Sequence, residues 1–341
     1  MTDTLSLDDV SVLLVWTAIA VYALAFVAYA IDLARRSALA VEAKDARARD
    51  RELVAAGGES ITDVTARERR AGAEIASAPG ARPRLLWARI GTSLTVLAFL
   101  FHLGATVLRG IAAERVPWSN MYEFAMTGLL LVVAVYLGVL FRYDLRFLGT
   151  FITGLVVVLL GGATLSFYVE VVPLMDPLKS VWLVIHVFVA SLGTALFALA
   201  FGLSVAQLLQ ARRERKVAEA ADGAVVRTGP GFLRTLPSAD ALESLAYRFA
   251  IIGFIFWTFT LIAGAIWAND AWGRYWGFDT KEVWTFVIWV LYAGYIHARA
   301  TRGWRGTRSA WLSIIGFLAV LFNFTIVNMF FKGLHAYSGL S

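Results

Sequence analysis

Residues 267–282 read Trp-Ala-Asn-Asp-Ala-Trp-Gly-Arg-Tyr-Trp-Gly-Phe-Asp-Thr-Lys-Glu, and a long apolar run flanks them on each side. Apolar runs of this length are typical of membrane-spanning helices, so the stretch is expected at a membrane surface. It combines five aromatic rings with charged side chains of both signs. A dense group of rings at that level indicates a large planar ligand.

The composition is that of a multi-span membrane protein. The 341 residues are 59% hydrophobic and 16% charged, with a mean hydropathy of +0.68, whereas a soluble domain is roughly a quarter charged. The net charge of +6 does not indicate nucleic-acid binding, because the basic residues fall in loops on one side of the predicted membrane. The chain has no cysteine, which excludes thiol chemistry, disulfides and thiolate metal sites of its own.

The apolar runs predict an all-α, polytopic membrane protein with about eight transmembrane helices. A span needs about 20 apolar residues, and the qualifying segments are Ser11–Ile31, Leu85–Leu108, Met121–Phe141, Phe147–Phe167, Val181–Leu209, Phe249–Trp267, Val283–His297 and Trp311–Phe331. The seventh is short, and Asp279 with Glu282 has the spacing of a capping box at its start. We divide the chain into residues 1–84, the first span with a charged cytoplasmic loop, and residues 85–341, a seven-span core.

The distribution of Lys and Arg predicts the orientation. The loops 32–84, 142–146, 210–248 and 298–310 contain eleven, two, seven and four of these residues, whereas each alternate loop contains at most two. The positive-inside rule places the first set in the cytoplasm. With an even number of spans, both termini and residues 267–282 are then extracytoplasmic.

The four histidines fall at distinct depths. His186, about one turn inside the outer end of the fifth span, and His335, just beyond the eighth, lie at the level of the aromatic stretch and suggest two axial ligands to a haem iron. A zinc site is a weaker interpretation, because zinc requires three or four ligands. His297 lies at the cytoplasmic end of the seventh span, roughly 25 Å from the depth of His102, so an iron ligand at His297 would need a partner from another chain. For His102 we favour a structural role.

Residues 272–282 resemble the tryptophan-rich WWD motif, W-G-x-x-W-x-W-D-x-K/R-E, of the haem-handling proteins that include CcsA (ResC), CcmC and CcmF. Residues 116–123, Val-Pro-Trp-Ser-Asn-Met-Tyr-Glu, resemble the first outer loop of CcsA, and eight spans with an external C-terminal histidine are similar to CcsA rather than to the shorter CcmC. Two positions depart from the motif: Phe278 stands where Trp is usual, and Thr280 where Pro is common. Phe278 keeps a ring but lacks the indole N–H donor.

The resemblance implies a multi-pass protein of the bacterial plasma membrane that works with a CcsB (ResB)-like membrane protein in a System II holocytochrome c synthase, or haem lyase, complex. Such a complex carries haem b to the outer face and presents its vinyl groups to the Cys-x-x-Cys-His thiols of apocytochrome c. His186 and His335 match the axial pair of the outer site. His297 matches a membrane-embedded ligand, whose partner ligand comes from the CcsB part.

Each residue of the motif has an expected role. Aromatic rings bury the haem faces, and cationic side chains suit its propionates, with Arg109, Arg115, Arg274 and Lys281 as candidates. The predicted haem contacts in the motif are Trp272, Arg274, Tyr275, Trp276, Phe278, Asp279, Lys281 and Glu282. For Lys281 and Glu282, chemistry at the start of a helix is an equal alternative. No nucleophile with its base is recognisable, so the chain would contribute positioning.

Two other functions fit a membrane protein of this kind. The first is a b-type haem electron carrier, which would usually have paired histidines inside the bundle at both depths, whereas only one histidine lies at the inner level here. The second is a transporter without a metal, which would show paired broken helices near the midplane. We find no such pair in the sequence.

Overall fold

The computed structural model describes residues 6–57, 86–174, 176–219, 229–301, 303–331 and 333–334. Within these ranges there is no strand, and the predicted all-α architecture is confirmed. The long helices are α1 (Leu7–Gly57), α2 (Leu86–Ala113), α3 (Met121–Leu140), α4 (Gly149–Ser166), α5 (Val181–Ala218), α6 (Ala239–Trp272), α7 (Thr280–Thr301) and α8 (Thr307–Phe322). After α8 the chain continues through a π-helical turn, Asn323–Val327, into the short helix α9 (Asn328–Phe330).

Seven helices of the described residues are long and apolar enough to cross a membrane. They correspond to seven of the eight predicted spans, so the multi-span prediction is confirmed with one difference. The remaining segment, Val283–His297, lies in α7, which has 22 residues but falls short in apolar character. Its ends carry polar side chains, among them Lys281, Glu282 and Arg299, and these shorten the apolar part of the helix.

Close helix contacts bring α5, α6 and α7 together. Gly193 of α5 faces Gly253 of α6, and a Cβ atom on Gly193 would lie 3.3 Å from the Gly253 carbonyl oxygen. Small residues at such positions let two helix backbones approach each other. Phe197 of α5 then stacks on Tyr292 of α7, with ring centroids 3.6 Å apart. A second buried cluster around Tyr22 joins α1 to α2, α3 and α4.

Capping residues at the start of α5 and at the end of α6 lie at the same end of the bundle. The hydroxyl of Ser180 accepts the Trp182 N–H at the start of α5 and donates to Asp270 near the end of α6, at 2.9 Å. Gly273 ends α6 with φ +68°, a left-handed conformation that glycine adopts at little cost, and its N–H bonds to the Asn269 carbonyl. The turn at Gly273 leads into residues 273–279, which we call the aromatic loop.

Polar contacts gather at the two ends of the helix bundle. The end with the aromatic loop also holds the predicted extracytoplasmic segments, and there Leu334 N–H donates to the Asp279 carboxylate at 2.9 Å. At the opposite end, the buried Glu243 carboxylate accepts from Arg299 at 3.1 Å and from the Gly306 N–H at 2.7 Å. The structure thus separates the two predicted sets of loops. That the aromatic loop and both termini are extracytoplasmic stays a prediction.

Candidate functional site

A cavity with about 500 Å³ of empty space, open solvent included, lies between α5, α6, α7 and the aromatic loop. We call it cavity A. Its lining residues are His186, Thr260, Leu261, Gly264, Ala265, Trp267, Ala268, Tyr275, Trp276, Lys281, Glu282 and Thr285. Five of the predicted haem contacts therefore line one cavity: His186, Tyr275, Trp276, Lys281 and Glu282.

A second cavity, cavity B, lies between α5 and the segment that begins α3. It holds about 580 Å³ of empty space and is lined by Trp118, Ser119, Asn120, Met121, Phe124, Leu178, Leu183, His186, Val187, Trp267, Lys281 and Asn328. Its lining shares His186, Trp267 and Lys281 with cavity A. These three side chains therefore stand between the two spaces, and a ligand on either side would contact them.

His186 is held by α6 in a defined tautomer. Its Nδ1 lies 3.0 Å from the Thr260 carbonyl oxygen, which can only accept, so Nδ1 carries the proton. In the neutral ring Nε2 then carries the lone pair that a metal ion needs. Histidines that bind metals commonly donate their other N–H to a backbone carbonyl in this way. His186 thus has the arrangement expected of an axial iron ligand.

The flanks of the His186 ring are also fixed by α6. Its ring stacks on that of Trp267 at 5.9 Å between centroids and an interplanar angle of 22°. On another side the ring lies against Gly264, where a Cβ atom would be 2.7 Å from His186 Cε1. That distance is too short for an ordinary contact, so the ring position requires a glycine there. Thr260, Gly264 and Trp267 occupy one face of α6.

Lys281 has a half-buried side chain that lines cavities A and B together with His186. Its Nζ donates to the side-chain oxygen of Asn328, the first residue after the π-helical turn. Burial lowers the pKa of the Lys281 ammonium to about 8, and the nearby Asp279 carboxylate acts in the opposite direction. A ligand carboxylate at this position would favour the charged amine in the same way as Asp279 does.

Glu282 organises the aromatic loop. Its carboxylate accepts the N–H of Gly277 at 2.8 Å and the N–H of Asp279 at 3.1 Å, and the Asp279 carboxylate accepts the Lys281 N–H. These bonds confirm the predicted helix-start chemistry at Asp279 and Glu282. Arg274 lies 3.5 Å from the other Glu282 oxygen, and its guanidinium covers the backbone of Gly277. Arg274 therefore braces the loop from within.

The aromatic rings of the motif divide into two groups. Trp272 packs edge-on against the buried Trp267, at 4.9 Å, and so lies behind the cavity wall. Tyr275, Trp276 and Phe278 are exposed, with Phe278 79% accessible. Phe278 also has φ +58°, a conformation that costs a bulky side chain about 1–2 kcal/mol. The loop thus holds an exposed ring in a strained conformation, which is common at functional sites.

Arg109 and Arg115, two candidate propionate ligands, bond to acidic side chains of this chain. Arg109 is fully buried and donates to Glu123 at 3.0 Å, Asp8 at 2.6 Å and the Val169 carbonyl at 2.7 Å. Arg115 donates to the same buried Glu123 at 2.6 Å. These guanidinium groups are engaged in a network that joins α1, α2 and α3. Donors of both side chains hold the loop that begins α3, which disfavours these arginines as propionate ligands.

The other three histidines have different positions. His102 is fully buried beside Tyr22, whose hydroxyl lies 3.4 Å from His102 Nδ1, in agreement with the structural role favoured above. His297 is exposed on α7 at the end of the bundle opposite cavity A. His335 lies outside the described residues. Its predecessor Leu334 is the residue bonded to Asp279 at the aromatic loop.

Sequence reasoning missed three positions that shape the site. Thr260 and Gly264 precede Trp267 by seven and three residues, and this helical spacing could have placed them on the same face as the indole ring. Asn328 gave no such signal, because the π-helical turn alters the spacing along α8. In the described part of the chain no group of three or more His, Asp or Glu side chains could hold a metal ion, which disfavours a zinc site there.

Comparisons with known proteins find matches to cytochrome c assembly and biogenesis proteins. Residues 118–335 match the family described as cytochrome c assembly protein. The chain is 34% identical over 262 residues to the cytochrome c biogenesis protein CcsA of Guillardia theta, covering 74% of this chain and 86% of that protein. It is 31% identical over 294 residues to CcsA of Gloeobacter violaceus, covering 74% and 87%.

A solved structure shares the fold at low sequence identity. The cytochrome c haem lyase CcmF superposes on the whole of this chain with a TM-score of 0.60 and 15% identity. This chain spans half the length of that protein. At such identity the likeness extends to the helical architecture alone.

Proposed function

This chain belongs to the cytochrome c assembly protein family, among its CcsA-type members, and we propose that it holds haem b at His186 and presents it to apocytochrome c. It is a cytochrome c biogenesis protein of a multi-pass membrane type. The observation that carries the proposal is the hydrogen bond from His186 Nδ1 to the Thr260 carbonyl oxygen, at the wall of a cavity that the aromatic loop also lines. The family name alone would not select that residue.

Different residues around His186 would bind the iron and the apolar surface of a porphyrin. His186 Nε2 and His335, which follows the anchored Leu334 in the sequence, would both bind the haem iron. Tyr275 and Trp276 cover apolar porphyrin surface, each contributing about 1–3 kcal/mol, while the buried Trp267 supports the His186 ring. The thiols of the Cys-x-x-Cys-His segment of apocytochrome c add S–H across the vinyl double bonds without net oxidation. The chain supplies orientation for that addition rather than a nucleophile.

A second haem position and a partner follow from His297. Its exposed ring, far from cavity A, suits an iron shared with a histidine of another chain, which we assign to a CcsB-like membrane protein. The complex would span the bacterial plasma membrane with the aromatic loop outside, as the Lys and Arg distribution predicts. In this arrangement haem moves from the His297 level to the His186 level.

The test is maturation of a reporter c-type cytochrome by the complex of this chain with its partner. His186→Ala should abolish covalent haem attachment and remove the absorption of the outer haem. His102→Phe, which changes a buried histidine outside cavities A and B, is the matched control and should retain both signals if it folds. Normal maturation by His186→Ala would refute the proposal.

The alternative of a membrane b-type electron carrier is not favoured. The related proteins of known name are biogenesis proteins. In addition, His102 is fully buried against Tyr22 and gives His297 no partner for a carrier haem.

A further inference from the structure

Four cations of the predicted outer end were candidates for binding a porphyrin carboxylate, and the structure separates them. Arg109 and Arg115 donate to the buried Glu123. Arg274 lies beside Glu282, 5.8 Å above the Trp272 ring. Among these four, Lys281 is the residue whose side chain lines cavities A and B, next to His186.

Asn328 determines where the Lys281 amine lies. Its side-chain N–H donates to the Phe324 carbonyl at 2.8 Å in the π-helical turn after α8, which leaves the amide oxygen directed at Lys281 Nζ. The π-helical turn immediately before Asn328 contains about one residue more than an α-helical turn. This extra residue shifts the Asn328 side chain toward α7. The amide is therefore fixed at both ends, by its own helix and by the lysine.

A second polar contact joins α7 and α8 one turn away. Asn323 donates to the Thr285 hydroxyl at 3.4 Å, and Thr285 donates to the Lys281 carbonyl at 2.7 Å. These bonds support the backbone of α7 and do not involve Nζ of Lys281. The two asparagines at either end of the π-helical turn thus have separable roles, one toward the helix and one toward the amine.

We propose that Asn328 is a positioning residue that aims Lys281 into cavities A and B, where the ammonium binds a propionate carboxylate of the porphyrin. The proposal rests on haem binding at His186. An ammonium has three donors, and one of them bonds to Asn328, so the amine can engage a carboxylate while it stays anchored. A charge-assisted bond in an enclosed site is strong enough to select a carboxylate over its ester.

The experiment compares haem with haem dimethyl ester, in which both propionates are blocked, by titration of the purified complex followed in the Soret band. Wild-type protein should bind haem at least about tenfold more tightly than the ester, as expected for one charged hydrogen bond. Lys281→Met and Asn328→Leu should lower this ratio to near one. Asn323→Leu is the matched control and should keep the wild-type ratio.

The ratio separates positioning from a general loss of structure. A variant that lowers the affinity for haem and the affinity for the ester by the same factor contradicts the proposal. Equal affinity of the wild type for the two porphyrins contradicts it as well. Either result leaves haem binding at His186 standing. If instead the wild-type spectrum does not depend on His186, the proposed function fails before the carboxylate question arises.

Discussion

Gly264→Ala should weaken haem coordination at His186 by about 10- to 100-fold. The new Cβ atom would lie 2.7 Å from His186 Cε1 and 2.8 Å from Nδ1, whereas ordinary contacts begin at 3.4 Å. The ring must therefore move away from α6 by roughly 0.7 Å, which lengthens the 3.0 Å bond from Nδ1 to Thr260 beyond hydrogen-bonding distance. Loss of the bond that orients a metal-binding histidine costs about 10- to 100-fold in affinity, or about 1.4–2.8 kcal/mol.

The assay is a Soret titration of the variant complex, paired with thermal unfolding. Alanine is favoured over glycine inside a helix by about 1 kcal/mol, so unfolding should not occur at a lower temperature. Gly162→Ala in α4 is the control, because a Cβ atom there meets no atom within 4 Å, and haem binding should be unchanged. Wild-type affinity and an unaltered spectrum in Gly264→Ala would refute the reasoning about the His186 ring.

Three further substitutions test other parts of the structure. Glu123→Gln should destabilise the protein by about 3–5 kcal/mol in thermal or denaturant unfolding, because it breaks a fully buried ion pair with Arg109. Lys179→Ala, which removes an exposed ion pair, is the control and should leave the unfolding temperature unchanged. Phe278→Gly should change stability by less than about 1 kcal/mol, since relief of the positive φ offsets the greater conformational entropy of glycine in the unfolded chain. Reporter maturation should fall in this variant, and a normal yield of matured cytochrome would contradict a role for the ring. His297→Ala should remove an inner haem signal from the complex and spare the His186-dependent one, and an unchanged spectrum would exclude an iron ligand at His297.

The sequence predicted those features that depend on neighbouring residues. The capping box of Asp279 and Glu282 follows from a three-residue spacing, and the position of His186 follows from the length of its span. The role of Arg109 could not be predicted, because its partner Asp8 lies 101 residues away and Glu123 lies 14 residues away. From the sequence alone, an arginine such as Arg109 is equally suited to bind a ligand carboxylate or a buried glutamate.

The assignment of Lys281 shows the same limit. Its place in the motif predicts both a helix start and a ligand contact. In the structure the Lys281 backbone N–H bonds to Asp279 at the helix start, and the Lys281 side chain lines cavity A. The contact of the side chain depends on Asn328, which reaches α7 because a π-helical turn follows α8. Regular helical spacing, on which sequence prediction relies, does not describe such a turn.

The π-helical turn after α8 holds one residue more than a regular α-helix would hold there. About five residues of a π-helix rotate the chain as far as about four residues of an α-helix, in which each residue corresponds to about 100°. Deleting one residue from Asn323–Val327 would therefore leave the following side chains near their present orientation. The same deletion within Thr307–Phe322 would turn them about a quarter-turn away from α7, and the bond from Leu334 to Asp279 would lose its alignment. Deletions should thus be tolerated better in this short turn than in the regular helix before it.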